Sequence, residues 1–277
     1  MRFVSKKFLV VLFTLLVFSV ITPVAAGATW YVDDDGGSDF TSIQAAVNAA
    51  SAGDTIIVRD GTYIEDVDVT VPDITIQSEN GSASTTVNAS NAGGHVFDVT
   101  EDYVNIGGFT AEGATGSWEA GIYLGGANHC NISDNNVTNN YYGIDLSHSS
   151  DNTLTDNTAS NNSNGIYLYY SSNNTLEGNT MSDNNYNLDV FGSGLSHYTH
   201  NIGTTNKVNG KPVYYWVGRQ DQKIPDDAGY VGVVNSTNIT VKDLTLTGNG
   251  QGVLFAYTNN SKIKNVNVSN NNYGIIL

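Results

Sequence analysis

Three consecutive stretches decide how this chain folds. Asn131–Leu146 reads NISDNNVTNNYYGIDL, Asn152–Leu168 reads NTLTDNTASNNSNGIYL, and Asn174–Val190 reads NTLEGNTMSDNNYNLDV. Ile132, Leu154 and Leu176 are 22 residues apart, as are Asn135, Asn157 and Asn179, and as are Ile122, Ile144, Ile166 and Leu188. A fixed period of this length governs architecture before any local propensity does. Twenty-two residues are too few for a two-helix repeat, and the leucine-rich consensus is missing. The apolar residues alternate over short patches such as Gly143-Ile144-Asp145-Leu146, which is strand periodicity. Asn, Ser, Gly and Asp separate the patches and suit tight corners. The pattern predicts an all-β solenoid of 22-residue coils, stacked by parallel strand pairing at about 4.8 Å per coil. Inward aliphatics then form columns, and corner asparagines exchange side-chain amide hydrogen bonds along the axis.

The register extends in both directions. Val241 and Ile263 repeat at 22, as do Gly252 and Gly274, and Ile106 fits a coil carrying a four-residue insertion around Ser117-Trp118-Glu119. Towards the N-terminus, Trp30-Tyr31-Val32 is a first strand. Thr41-Ser42-Ile43-Gln44 has the form of a capping box opening a short amphipathic helix over 41–50. That helix is expected to cover the open end of the first coil. The chain is thus divided into a signal peptide at 1–28 and a β-helix domain at 29–277, the latter with a cap at 29–53, coils at 54–190, an insertion at 191–235 and coils at 236–277. Arg2, Lys6 and Lys7, the apolar run Phe8–Ile21 and Ala26-Gly27-Ala28 carry the signal-peptide reading. An uncleaved anchor is the rival reading, and the apolar run is short for one. Secretion or residence in the cell envelope is the expected location. The last coil stops at Tyr273-Gly274-Ile275 without a closing cap, so a longer protein, or cover by another chain, is expected beyond Leu277.

The run Asp39–Val47, then Gly53-Asp54-Thr55-Ile56, then Gly61-Thr62-Tyr63 resembles the N-terminal cap and first coil of the pectin-lyase-like superfamily. The N-G-I-Y-L and S-S-N-N-T-L units resemble the right-handed parallel β-helix repeats of archaeal surface proteins. These repeats are grouped with the NosD-like periplasmic copper-processing family and with carbohydrate-binding and sugar-hydrolase modules. Asn206–Trp216 resembles an insertion of the NosD-like members. The resemblance implies a right-handed parallel β-helix, while activity has to be argued from the site.

Without Arg2, Lys6 and Lys7, eight basic residues face 27 acidic ones, which argues against nucleic acid as a partner. A membrane would be met only through an uncleaved signal or a further C-terminal segment. Ten sequons, at Asn80, Asn88, Asn131, Asn136, Asn161, Asn173, Asn235, Asn238, Asn259 and Asn267, are candidate glycan acceptors in a secreted chain. Asp33-Asp34-Asp35 could hold Ca²⁺ or form a solvated turn; no other cofactor is expected. His95, His129, Cys130, His148, His197, His200 and Met181 are the soft or imidazole ligands available, and their scatter predicts no metal site.

Between 191 and 235 the period breaks. Asn209-Gly210 signals a hairpin, and an excursion from the stack is expected to present Tyr214, Tyr215, Trp216 and Arg219 to a glycan or a protein. The alternative is that these aromatics pack the segment onto the wall. Lyases that the resemblance brings in need Arg or Lys beside Ca²⁺-binding carboxylates; the only arginines outside the leader are Arg59 and Arg219, and neither lies beside an obvious acid cluster in register. Hydrolase signatures are missing too. Asp145 and Asp189 share an outward register two coils apart, about 10 Å, with Tyr167 between them. No catalytic residue is assigned. Two functions follow: a rigid envelope solenoid that binds surface glycans or envelope proteins, or a polysaccharide-active enzyme with a site on the solenoid wall. The first is preferred, because the regular coils present Asn, Ser and Tyr in place of acid–base groups.

Overall fold

The computed structural model describes residues 27–277; most of the expected signal peptide lies outside the described residues. The chain winds as a right-handed parallel solenoid. Three sheets form its walls, of eight, six and eleven strands. In the first sheet Ile56, Ile76, Ile106, Ile132, Leu154, Leu176 and Ile202 are direct neighbours in register. In the second, Phe97, Ile122, Ile144, Ile166 and Leu188 form one inward column. In the third, Val87, Ala111, Val137, Ala159, Met181 and Val208 form another. All are buried. Each large aliphatic withdrawn from water contributes about 1.5–3 kcal/mol, so the columns supply the main driving force.

The corners use a two-residue device. Asp134, Asp156 and Gly178 take φ of 58°, 54° and 68°, a left-handed turn that Asn, Asp and Gly tolerate. The next residues, Asn135, Asn157 and Asn179, then point inward. Asn135 Nδ2 donates to Asn157 Oδ1 at 3.1 Å, Asn157 to Asn179 at 3.0 Å, and Asn179 to Asn206 at 2.8 Å. Each Oδ1 also accepts a backbone N–H from the neighbouring coil, as Asn157 does from Asn135 at 3.1 Å. A second ladder runs through Asn140, Asn162 and Asn184. Corner backbone groups that a sheet cannot reach are thereby satisfied.

The helix spans Ile43–Ala49 and buries Ile43, Ala46 and Val47. Its N-cap is Ser42, not the Thr41 of the expected capping box: Ser42 Oγ accepts from Ala45 N at 3.2 Å. Glu65, from a strand connection, accepts from the Ile43 and Gln44 amides at 2.9 Å each. Gln44 instead reaches across the coil, accepting from Asp68 N at 2.6 Å.

The expected excursion is corrected by the structure. Asn209 and Gly210, with φ of 48° and 78°, do form a hairpin turn, and Lys207–Val208 pairs antiparallel with Lys211–Val217. The second arm does not leave the stack, however. It pairs in parallel with Tyr230–Val234, which pairs with Gln251–Ala256 and then Tyr273–Ile276. This portion of the third sheet has both faces covered. Val213, Tyr215, Tyr230 and Leu254 face the first core. Val231, Val233, Val253 and Phe255, with Tyr214 and Trp216 against them, face a second core that includes Ile224, Val241 and Leu246. A sheet buried on both faces needs continuous apolar runs, which is what VYYWV and YVGVV are. Chain reversal at the hairpin thus starts a second, smaller stack against the first.

Candidate functional site: a groove of alternating tyrosine and aspartate

The second sheet ends at the strand Tyr186–Phe191, and its outward face carries the site. Along one register line run Asp68, Asp98, Tyr123, Asp145, Tyr167 and Asp189. From Asp98 onward, carboxyl and phenol alternate strand by strand. A cavity of about 530 Å³ lies over the Tyr123–Asp189 part of this line, and His95, Trp118, Glu119, Tyr142, Tyr169 and Phe191 also line it. The four-residue insertion around Trp118 builds one wall. The second stack supplies Asn272 and Tyr273 at the end nearest Asp189.

The aromatic rings form a near-continuous floor. Tyr142 stacks on Tyr167 with centroids 5.2 Å apart, Tyr167 meets Tyr169 at 5.6 Å, and Tyr169 stacks on Phe191 at 5.8 Å. His95 stacks on Tyr123 at 4.2 Å. Its Nδ1 accepts from Ala120 N at 2.9 Å and lies 3.2 Å from Glu119 Oε2. Desolvation holds the His95 imidazole below its usual range, against the pull of Glu119.

The carboxyls are the chemically unusual members. Asp145 is only 6% exposed, and its Oδ1 has no hydrogen-bond partner. Burial alone pushes its acidity to about 8, so the group is a neutral acid at neutral pH. Asp189 is 4% exposed. Burial raises it too, but Gln251 Nε2 donates to its Oδ1 at 2.6 Å and limits the rise to about 6. Gln251 is itself held by Tyr230, whose hydroxyl donates to Gln251 Oε1 at 2.8 Å. Gly250 lets this clamp close: a Cβ there would sit 2.2 Å from Asp189 Cγ. Asp98, with an unpartnered Oδ1, is raised by desolvation and by Asp68. No lysine or arginine is among the described residues that line the groove.

The residues singled out for ligand binding from sequence do not converge here. Tyr215 is interior, its hydroxyl donating to Tyr198 O at 2.6 Å. Tyr214 and Trp216 pack on the second core, and Tyr214 donates to Asp227 at 2.9 Å. Arg219 is exposed and distant in the chain's path, on the turn after Val217. Asp145, Tyr167 and Asp189 do come together, and the structure adds Asp98 and Tyr123 on the same line, His95 and Trp118 beside the cavity, and Gln251 behind Asp189. A signal for two of them was present. Apolar–X–apolar with X as Asp or Tyr recurs at Phe97-Asp98-Val99, Ile122-Tyr123-Leu124, Ile144-Asp145-Leu146, Ile166-Tyr167-Leu168 and Leu188-Asp189-Val190.

Other candidates settle elsewhere. Asp33 Oδ2 pairs with Arg59 at 3.1 Å, and Asp34 Oδ2 accepts from Thr62 N at 3.2 Å, so these carboxylates staple the first turn to the coil. Among the sequon asparagines, Asn80, Asn161, Asn173, Asn235, Asn238, Asn259 and Asn267 are exposed, whereas Asn88, Asn131 and Asn136 are half-buried.

The architecture places the chain in a class, the right-handed parallel β-helices of the pectate lyase type. Solved structures that resemble it include pectate lyase Pel9A, at 16% identity and a TM-score of 0.54 over 91% of this chain and 79% of that one. The A-module of Azotobacter vinelandii mannuronan C-5 epimerase AlgE6 aligns at 18% identity and a TM-score of 0.54, over 82% and 72%. The ORF18 protein of Geobacillus virus E2 aligns at 15% and 0.52, over 82% and 58%. These likenesses are of fold. No curated protein matches the chain in sequence. The family model described as "Periplasmic copper-binding protein (NosD)" matches residues 47–226, and the chain belongs to the NosD family.

The family description raises copper, and the side chains present do not fit it. Among the described residues no three His, Cys, Asp or Glu side chains gather in ligating geometry. Cys130 is buried, its thiol directed at the Glu101 and Asn128 carbonyls and pushed up to about 11 by burial. Met181 lies inside the stack. His200 is buried with both ring nitrogens engaged, by Asn174 N and by the His197 carbonyl. A copper site needs accessible thiolate, thioether or imidazole donors converging on one point.

Proposed function

We propose that this protein is a glycan-binding β-helix of the cell envelope, and that its groove takes an uncharged oligosaccharide. The observation that carries the reading is Asp145: a buried carboxyl with an unfilled hydrogen-bonding position, set between Tyr123 and Tyr167 on the floor of an aromatic groove. An unsatisfied buried polar group costs stability, and a ligand hydroxyl would satisfy it. Flat rings offer apolar faces to pyranose C–H groups, while phenols and carboxyls take the hydroxyls. Charge selects among glycans. The groove holds Glu119 and Asp189, and no described lysine or arginine lines it to offset them, so a polyuronate would meet like charge. This sets the chain apart from the structural neighbours named for pectate and mannuronan. The word periplasmic in the family description and the signal-peptide-like sequence expected at 1–28 both support a place outside the cytoplasm. Among the described residues no helix is long and apolar enough to cross a membrane.

The test is a glycan array of neutral and uronate oligosaccharides, probed with the full chain and with Trp118→Ala and Tyr167→Ala variants. Neutral glycans should bind and either variant should weaken them about tenfold or more, as loss of one aromatic platform of about 1.5 kcal/mol implies. Preference for uronates, or equal binding by both variants, would remove the groove from the explanation.

A further inference from the structure

The groove contains more than a binding surface needs. We propose that it hydrolyses a glycosidic bond with inversion at the anomeric carbon, Asp145 acting as general acid and Asp189 as general base. This rests on the glycan reading above and adds a reaction to it.

Spacing comes first. Asp145 and Asp189 are register partners through Tyr167, two strand spacings apart, or about 10 Å at Cα. Inverting hydrolysis needs two carboxyls about 6.5–9.5 Å apart, leaving room for a water, whereas the covalent, retaining route needs about 5–5.5 Å. At Cα the separation is slightly beyond the first range, so the two side chains have to lean towards Tyr167 to bring their carboxyls within it, and it is well outside the second. Tyr167 between them supplies the floor on which the scissile sugar would lie.

The two carboxyls also have opposite protonation states over a shared interval. Asp145 holds its proton up to about pH 8, and Asp189 has lost its own above about 6. Environments that drive two neighbouring carboxyls apart in this way assign the acid and the base. The charged and titratable groups facing them are Asp98, Tyr123, Tyr142, Tyr167 and Tyr169 from the second sheet, His95 and Glu119 from the wall, and Tyr230 and Tyr273 from the second stack. None of these is a lysine or arginine that would pull Asp145 back into its ionised form. Gln251 is a positioning residue: its bond to Asp189 Oδ1 keeps that group the more acidic of the two.

In the step itself, water attacks the anomeric carbon from the Asp189 side and gives a proton to the Asp189 carboxylate. The carbon–oxygen bond on the opposite face breaks, its electron pair leaves with the glycosidic oxygen, and that oxygen takes the Asp145 proton. Two shorter sugars result, the new hemiacetal having the opposite anomeric configuration. Proton exchange with solvent restores both carboxyls.

The experiment incubates the full chain with whichever neutral oligosaccharides bind on the array, with readouts of reducing ends and of the first-formed anomer by NMR. Expected are inverted product, a bell-shaped rate profile with limbs near pH 6 and 8, and a loss of about 100-fold or more in Asp145→Asn and Asp189→Asn while glycan affinity persists. Gln251→Leu should move the acidic limb upward, an effect that loss of packing alone would not produce. Binding without turnover between pH 5 and 9 would overturn the catalytic proposal and leave the glycan reading standing. Retained configuration, or full activity in Asp145→Asn, would overturn it too. If no neutral glycan binds, both readings fall together.

Discussion

Replacing Asp145 with asparagine should change how stability responds to pH, and the size of the change can be worked from the site. In the unfolded chain an aspartate titrates near 3.8; folded, burial moves Asp145 to about 8. Below 3.8 both states carry the proton and the residue is neutral in its effect. Between the two values the folded state keeps the proton that the unfolded state has lost. Stability therefore falls as pH rises through this interval, by about 1.4 kcal/mol per pH unit, and levels off above pH 8. The full span corresponds to about 6 kcal/mol, an upper figure that water entry into the groove would reduce. Asparagine has the same shape and no charge to desolvate. Asp98 and Asp189, raised in the same direction, remain in both proteins and largely cancel in the comparison. Urea unfolding at pH 5, 7 and 9, extrapolated linearly, should show the variant's advantage over the parent growing by several kcal/mol from the lowest to the highest pH. A difference that stays constant across that range would refute the description of Asp145 as a buried, unpartnered acid, and with it the basis of both functional readings.

Asn157→Ala should destabilise the protein by about 3–5 kcal/mol, because it strands the Ile132 carbonyl, the Asn135 amide and one rung of the ladder; Asn161→Ala, exposed but at a φ of 58°, should cost only the left-handed penalty of about 1–2 kcal/mol, and matching denaturant midpoints for the two would contradict the ladder. Tyr215→Ala should lower stability by about 3–5 kcal/mol, since the ring is interior. Trp118→Ala, whose side chain is 68% exposed, should leave the melting temperature within a degree or two of the parent's, a change of under about 0.5 kcal/mol, and lose affinity instead; calorimetry alongside the array separates the two.

The period, the columns and the ladders were legible in the chain because a parallel stack turns sequence separation directly into neighbourhood. In a 22-residue coil, Ile144 has no neighbours to choose among: Ile122 and Ile166 are set by counting. The stacking of corner asparagines is legible for the same reason, since Asn135, Asn157 and Asn179 recur at the period. Part of the groove was legible too. Asp145, Tyr167 and Asp189 fall on one outward line by the same count, and Asp98 and Tyr123 fall on it once the insertion at Trp118 is allowed for.

Sequence alone could not show what stands opposite that line. The broken period and the Asn209-Gly210 turn signal predict an excursion for the VYYWV run, with packing on the wall as the alternative, and a strand with two buried faces and a loop that packs on a wall look alike until a second core is seen. Reversal at Asn209-Gly210 brings Gln251 onto Asp189 across 62 residues of chain and sets Tyr273 at the mouth of the groove. No periodicity reports such a contact. It depends on the angle at which two stacks meet, and that angle is set by packing at the junction. The solenoid was therefore determined by local repetition, whereas the acidity of Asp189, the closure of the groove and the contrast between its two carboxyls were decided by tertiary structure, through desolvation and a hydrogen bond between segments that repetition does not relate.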